Sequence, residues 1–196
     1  DRHIRIEYFS ESGSMARRLA RHSRYVPIAV VPSEAHASSP TAQAIPRVRS
    51  VLAVTDLSPA GNAGIAHAYS LLRGTGGTVE LCHIHEHSLP NPAYAYDRPQ
   101  QDLTDIERAR LTADRRALSP PHADSLGITT HLTIGYGGRA AEAIVQAAER
   151  LNVDVICLAS RGRSGLARAV LGSVAQEVVH RARRPVFVVR ERGEDA

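Results

Sequence analysis

The sequence predicts an α/β protein: a doubly wound, five-stranded parallel sheet with a helix-strand appendage at its N-terminus. Three observations carry this. From residue 50 onward, short Val/Ile/Leu-rich runs alternate with stretches of helical periodicity. The run at 155–160 is apolar enough to be buried on both faces, which points to a parallel sheet covered on both sides. Finally, Gly-rich segments follow several of the runs and open the next helix, as turns do at the ligand-binding end of such sheets.

The elements follow in order. VLAVTD (51–56) is the first strand, and Ser58-Pro59 supplies a cap and first helical turn. Ile65, Ala66, Tyr69 and Leu72 form the apolar stripe of the helix, which Gly74-Thr75-Gly76-Gly77 closes. VELCHI (79–84) is the second strand. A polar loop containing Pro90, Pro92 and Pro99 leads to a charged helix from about Asp102, broken near Pro120-Pro121. THLTIG (130–135) is the third strand, and Ala141, Ile144, Val145 and Ala148 mark the following helix. VICLAS (155–160), a helix from about Ser173, and PVFVVR (185–190) complete the unit.

Ahead of this unit the chain echoes its own ending. Gly13-Ser14 aligns with Gly172-Ser173, and the residues up to Val31 align with the closing helix and strand after a one-residue insertion. HIRIEYF (3–9) reads as one more strand. It runs into Gly13 without room for a loop like residues 160–171. The expected organisation is therefore a remnant of a preceding unit (1–32), a linker (33–47), the main domain (48–190) and a tail (191–196).

Composition narrows the function. The 196 residues carry a formal charge of +4, with every basic residue an Arg and no Lys. Residues 1–49 hold 8 Arg against 4 acids, whereas residues 50–196 hold 16 against 16, so the main domain is neutral. That argues against a nucleic-acid face. The absence of Lys excludes a Walker P-loop. No apolar run reaches the ~18 residues of a membrane helix, and Cys82 and Cys157 read as reduced core residues of a cytoplasmic protein.

Ala159–Val174 (ASRGRSGLARAVLGSV) carries the chemistry. It leaves the end of a buried strand and reaches a helix N-terminus, where unpaired N–H groups and the Ser173 hydroxyl suit a phosphate. Arg161, Arg163 and Arg168 are nearby cations. Three other patterns read as structural. GYGGRA (135–140) fits a dinucleotide fingerprint, but its acid, Asp154, falls at the wrong end of a strand. HIHEH (83–87) lacks the further fixed ligands of a metal site, and Ser164 sits in no nucleophile elbow.

The spaced motif resembles that of the universal stress proteins, in their ATP-binding branch, whose fold is Rossmann-like, of the adenine nucleotide alpha hydrolase type. That pattern is Gly, two residues, Gly, nine residues, then Gly-Ser or Gly-Thr. Here it falls on Ala159, Gly162, Gly172 and Ser173, with Ala159 where the first glycine stands. The resemblance spans about residues 48–190 and includes VTDLSP, LCHI and RRPVFVVR. It implies a site for ATP, with magnesium, in which Asp56 meets ribose or metal, and Val54 and Ile84 flank the adenine. Leu158, Ala159 and Arg161 border ribose and phosphates, while Gly162, Gly172, Ser173 and Val174 hold the phosphates. The implied role is a stress-response regulator or sensor with at most slow ATP hydrolysis and no catalytic residue. The rival reading is an interaction module with a vestigial pocket. The family's habit of pairing through the last strand implies a homodimer, or an intrachain pseudo-dimer joining residues 186–189 antiparallel to 26–31.

Overall fold

The computed structural model describes residues 5–8, 28–31, 47–86, 105–161 and 171–190. Seven strands form one sheet: β1 (Arg5–Tyr8), β2 (Ile28–Val31), β3 (Ser50–Thr55), β4 (Gly77–Glu86), β5 (Ile128–Gly137), β6 (Val155–Ala159) and β7 (Val186–Val189). Their order is β1-β2-β7-β6-β3-β4-β5. The five strands expected from residue 50 onward are all present and parallel to one another. The N-terminal strands extend this sheet rather than standing apart. β2 lies antiparallel to β7, and β1 lies parallel to β2. The expected pairing of residues 26–31 with 186–189 is thus formed within one chain, over residues 28–30 and 186–188. Val26, Pro27 and the helix expected from Ser14 lie outside the described residues, as does most of the proposed linker.

Alternation along β3 divides the interior into two layers. Val51 and Ala53 face one side, where they meet Ile65, Ala68, Tyr69 and Leu72 of α1 (Ile65–Leu72) and Leu118 of α2 (Asp105–Leu118). Leu52 faces the other, against Ala141, Ile144 and Ala148 of α3 (Ala140–Arg150) and Ala175 and Val178 of α4 (Ser173–Arg181). This is the arrangement that right-handed crossovers impose when β3, β4 and β5 wind one way and β6 and β7 the other. Tyr69 brings its hydroxyl into the first layer, bonded to Thr130 Oγ1 (2.8 Å) and Ser119 Oγ (3.2 Å).

The helix expected directly after Ser58-Pro59 is delayed by one turn. Leu57 adopts a left-handed φ of 64°, and a 3-10 turn over Gly61–Gly64 precedes α1. Ser58 still caps it, since its Oγ accepts from Gly61 N at 3.0 Å. At the opposite end of the sheet Asp154 Oδ2 accepts from Arg49 N (2.8 Å) and Ser50 N (2.9 Å), clasping the starts of β3 and β6.

Both cysteines are buried and free. Burial pushes each thiol up to about 12; for Cys82, Arg150 opposes this weakly and Glu80 adds to it. Neutral thiols are poor nucleophiles. Iodoacetamide at mildly alkaline pH should therefore leave Cys82 and Cys157 unmodified in the native protein and label both in denaturant, as read by intact mass. Rapid native labelling of either would contradict their packing. The same shift makes the unfolded chain ionise first above about 9, so both thiols withdraw stability as pH rises from there towards 12.

Candidate functional site

A cavity of about 550 Å3 opens at the C-terminal ends of β3, β4 and β6, between the first turns of α3 and α4. It sits where the strand order reverses, because successive crossovers leave β3 and β6 in opposite directions. Its apolar wall is the upper edge of the second layer. Buried Ile144 of α3 and Leu158 of β6 form its floor, and Val54 and Ile84, only partly covered by the helices, form its upper edge.

The backbone beside that wall is open to a ligand. Pairing of β3 with β4 stops at Thr55↔His83, while β4 and β5 continue to Glu86↔Gly137. On its β3 side, β4 has no ladder partner from Ile84 onward. Extended main chain at the rim of an apolar slot can supply the polar contacts that orient a flat heterocycle.

Asp56 stands at the mouth of β3. Its Oδ1 accepts from Ser58 N (3.0 Å) and Ser58 Oγ (2.6 Å), turning the carboxylate back over its own loop. Gly61 lies beneath it, where a Cβ would force the Asp56 carboxylate to shift. Thr55 fastens the same turn: its Oγ1 bonds Asn62 Oδ1 and accepts from Leu57 N at 2.8 Å. His83 lies alongside, with Nδ1 3.1 Å from the Thr55 carbonyl oxygen. A carbonyl only accepts, so Nδ1 carries the proton in this contact.

Across the cavity, Gly172 delivers the chain into α4. Its N–H donates to Ser160 O (2.8 Å) and its carbonyl accepts from Gln176 N (2.9 Å). A Cβ on Gly172 would come within 3.1 Å of Ser160 O, so glycine allows this close crossing. Among the described residues no side chain caps α4, and the first-turn amides of any α-helix lack intrahelical acceptors. Ser173 and Val174, which begin α4, line the cavity; Val174 is 38% exposed, unusual for a large apolar residue here. Arg161 adds a cation on the same side.

Nine of the residues singled out from the sequence meet in this wall: Val54, Asp56, Ile84, Leu158, Ala159, Arg161, Gly172, Ser173 and Val174. Gly162, Arg163 and Arg168 lie outside the described residues. Ala159 is paired with Val189, which faces the α1 layer, and it follows Leu158, which faces the other. Strand alternation therefore sends its methyl away from the apolar wall.

Sequence reasoning missed Thr55, Gly61, Ala140, Ile144, Ser160 and Ala175 as lining residues and gave His83 only a structural part. Spacing alone holds a clue to Ile144, one helical turn from Ala140 on the face of α3 that meets the sheet. Of the three rival motifs, Ser164 and His87 of HIHEH lie outside the described residues, while GYGGRA falls within them. Gly135 lies inside β5, under the Ile84 side chain, and Asp154 is spent on the clasp at the far end. Among the described residues no group of three His, Cys, Asp or Glu side chains is placed to hold a metal.

The profile of the Universal stress protein family matches residues 47–190. The chain belongs to that family. It is 30% identical over 146 residues to a universal stress protein of Thermus aquaticus, covering 72% of this chain and 98% of the relative. It is 39% identical to universal stress protein MJ0531 of Methanocaldococcus jannaschii, over 69 residues that make up 35% of this chain and 40% of that one. Among solved structures, a universal stress protein of Archaeoglobus fulgidus superposes with a TM-score of 0.59 at 21% identity, over 97% of this chain and 62% of that chain. Another, in complex with cAMP, superposes with a TM-score of 0.52 at 18% identity, over 74% of this chain and 98% of that one.

The Asp56 turn depends on the missing side chain at Gly61. Gly61→Ala should displace the carboxylate and cost about 1–3 kcal/mol, the usual range for overpacking, measured by urea denaturation. An unchanged midpoint would show that the turn does not need the close approach.

Proposed function

We propose that this cavity binds an adenine nucleotide, ATP with magnesium foremost, and that the domain serves as a regulatory or sensor module in the stress response. One observation carries the reading: an apolar slot and an anion-attracting helix start face each other across a single cavity. Val54, Ile84 and Leu158 suit the two faces of a base, and the open edge of β4 suits its polar rim. The first-turn amides of α4, the Ser173 hydroxyl and Arg161, with Gly162 of the same motif, suit phosphates. The related universal stress protein seen with cAMP lends support, as an adenine nucleotide held on the same fold.

Asp56 would face either ribose hydroxyls or magnesium; one carboxylate plus phosphate oxygens is a usual magnesium environment. The ion would supply the positive charge that lets phosphates and a carboxylate share one cavity. Asp56 Oδ1 is held by Ser58, and with the proton of His83 on Nδ1 toward Thr55 O the basic nitrogen of that ring is Nε2. Slow turnover at most is the expectation. The rival, an interaction module with a vestigial pocket, has Ala159 in place of the first motif glycine as its best support, and Ala159 lines the cavity.

The same reading takes residues 48–190 as the working domain in the cytoplasm, residues 1–32 as the remnant of a preceding unit, 33–47 as a linker and 191–196 as a tail. No helix among the described residues is long and apolar enough to cross a membrane.

Calorimetric titration with Mg-ATP is the test. Saturable binding is expected, with loss of at least tenfold in affinity for Gly172→Val, whose side chain would meet Ser160 O. Arg161→Ala should weaken binding by roughly ten- to a hundredfold, matching one charge-assisted hydrogen bond of about 1.5–3 kcal/mol. No heat at millimolar nucleotide, from protein whose circular dichroism is native, would sink the reading.

A further inference from the structure

The fold leaves one polar side chain of the cavity without a use. Ser160 is only 8% exposed, yet it lines the cavity. Its main chain is fully engaged: the N–H donates to Val189 O at 2.6 Å, and the carbonyl accepts from Gly172 N at 2.8 Å. Its hydroxyl makes no hydrogen bond among the described residues. None of their side-chain polar atoms is both sealed and unpartnered, so this oxygen opens onto the cavity.

Two constraints place that oxygen. Leu158 faces the second layer, and Ala159 is paired with Val189, which faces the first. Alternation therefore returns Ser160 to the side of Leu158, where the apolar wall lies. The bond to Gly172 fixes the other coordinate, because Gly172 is the residue from which the chain enters α4. Ser160 thus stands between the wall and the helix start. A hydroxyl taken out of water costs free energy unless it is bonded, and alanine would fill this place without that cost. The oxygen serves no contact of the fold.

We propose that the Ser160 hydroxyl donates to the first phosphate of the bound nucleotide, the one joined to the sugar. The inference rests on the nucleotide reading of the cavity and adds a contact to it. With a base against Val54, Ile84 and Leu158 and outer phosphates at the α4 amides, the groups in between are the sugar and the first phosphate. The phosphate is the better match for Ser160. It offers only acceptors, and a charged acceptor gives the hydroxyl its stronger bond. The sugar hydroxyls have a carboxylate to donate to, Asp56, on the opposite lip. Arg161, the next residue, brings charge on a long arm. Ser160 brings a single short donor on a strand end held at both main-chain groups, and so fixes position.

Ser160→Ala tests the contact, with affinities for Mg-ATP, AMP and adenosine compared by calorimetric competition on the full chain. The variant should lose roughly ten- to a hundredfold in affinity for ATP, the effect of a hydrogen bond to a charged group. It should lose the same factor for AMP, whose one phosphate is the first. Adenosine should bind both proteins alike. The ligand-free thermal midpoint should stay level or rise, since the substitution removes an oxygen that the fold leaves unbonded. Undiminished ATP affinity, a loss confined to ATP, an equal loss for adenosine, or a lowered ligand-free midpoint would each overturn the proposal. If the unaltered protein binds none of the three, the nucleotide reading falls with it. If that protein binds them and the variant does so equally well, only the Ser160 contact falls.

Discussion

The parallel pairing of β3 with β6 is the contact on which the rest of the molecule depends. Val51, Leu52 and Ala53 lie beside Val155, Ile156 and Cys157, all buried. The crossovers leave this seam in opposite directions, so no connection passes over its upper end. Asp154 fixes the lower end by holding the backbone of Arg49 and Ser50. The upper end is fixed by the turn after β3, through Cys157 Sγ on Gly64 O at 3.2 Å. Between those two fastenings the strands have no freedom to shear. Asp56, one residue past β3, and Ala159, the last residue of β6, stand as opposite lips of one opening.

The two layers share the work unevenly. The layer beneath α1 is closed and carries Tyr69, whose hydroxyl is satisfied by Thr130 and Ser119. The layer beneath α3 and α4 is equally dry at its base, around Leu52, Ile156 and Val178, but is left unfinished at the top. Val54 and Ile84 are only partly covered there. A cavity formed this way needs no special excavation. It is the remainder of a core that two helices begin too late to fill.

Much of this was legible in the sequence because it rests on strong local signals. The short apolar runs near residues 51, 79, 130, 155 and 185 all became strands, displaced by at most two residues at their ends. The spaced glycines marked the α4 start because a backbone crossing at Gly172 leaves little room for a side chain. Other features left no local trace. Gly61 looks like any loop glycine until the Asp56 carboxylate is seen folded over it. His83 reads as one of several alternating histidines, and only the end of β3 beside it reveals its contact with Thr55. Arg5–Tyr8 is too short to declare its neighbours. Its parallel partnership with β2 is a property of the assembled sheet rather than of any window of residues.

The pairing of β2 with β7 also imposes an order on assembly. The two strands lie far apart in the sequence, so their contact closes a long loop. Closing loops of that span is slow relative to local pairing. During synthesis β2 emerges long before β7 exists, and the main domain can gather around the β3–β6 seam while β2 waits. The N-terminal segment therefore acts last, as a clasp on a finished sheet. In the interval the molecule is at its most adhesive, with Val186–Val189 folded and uncovered.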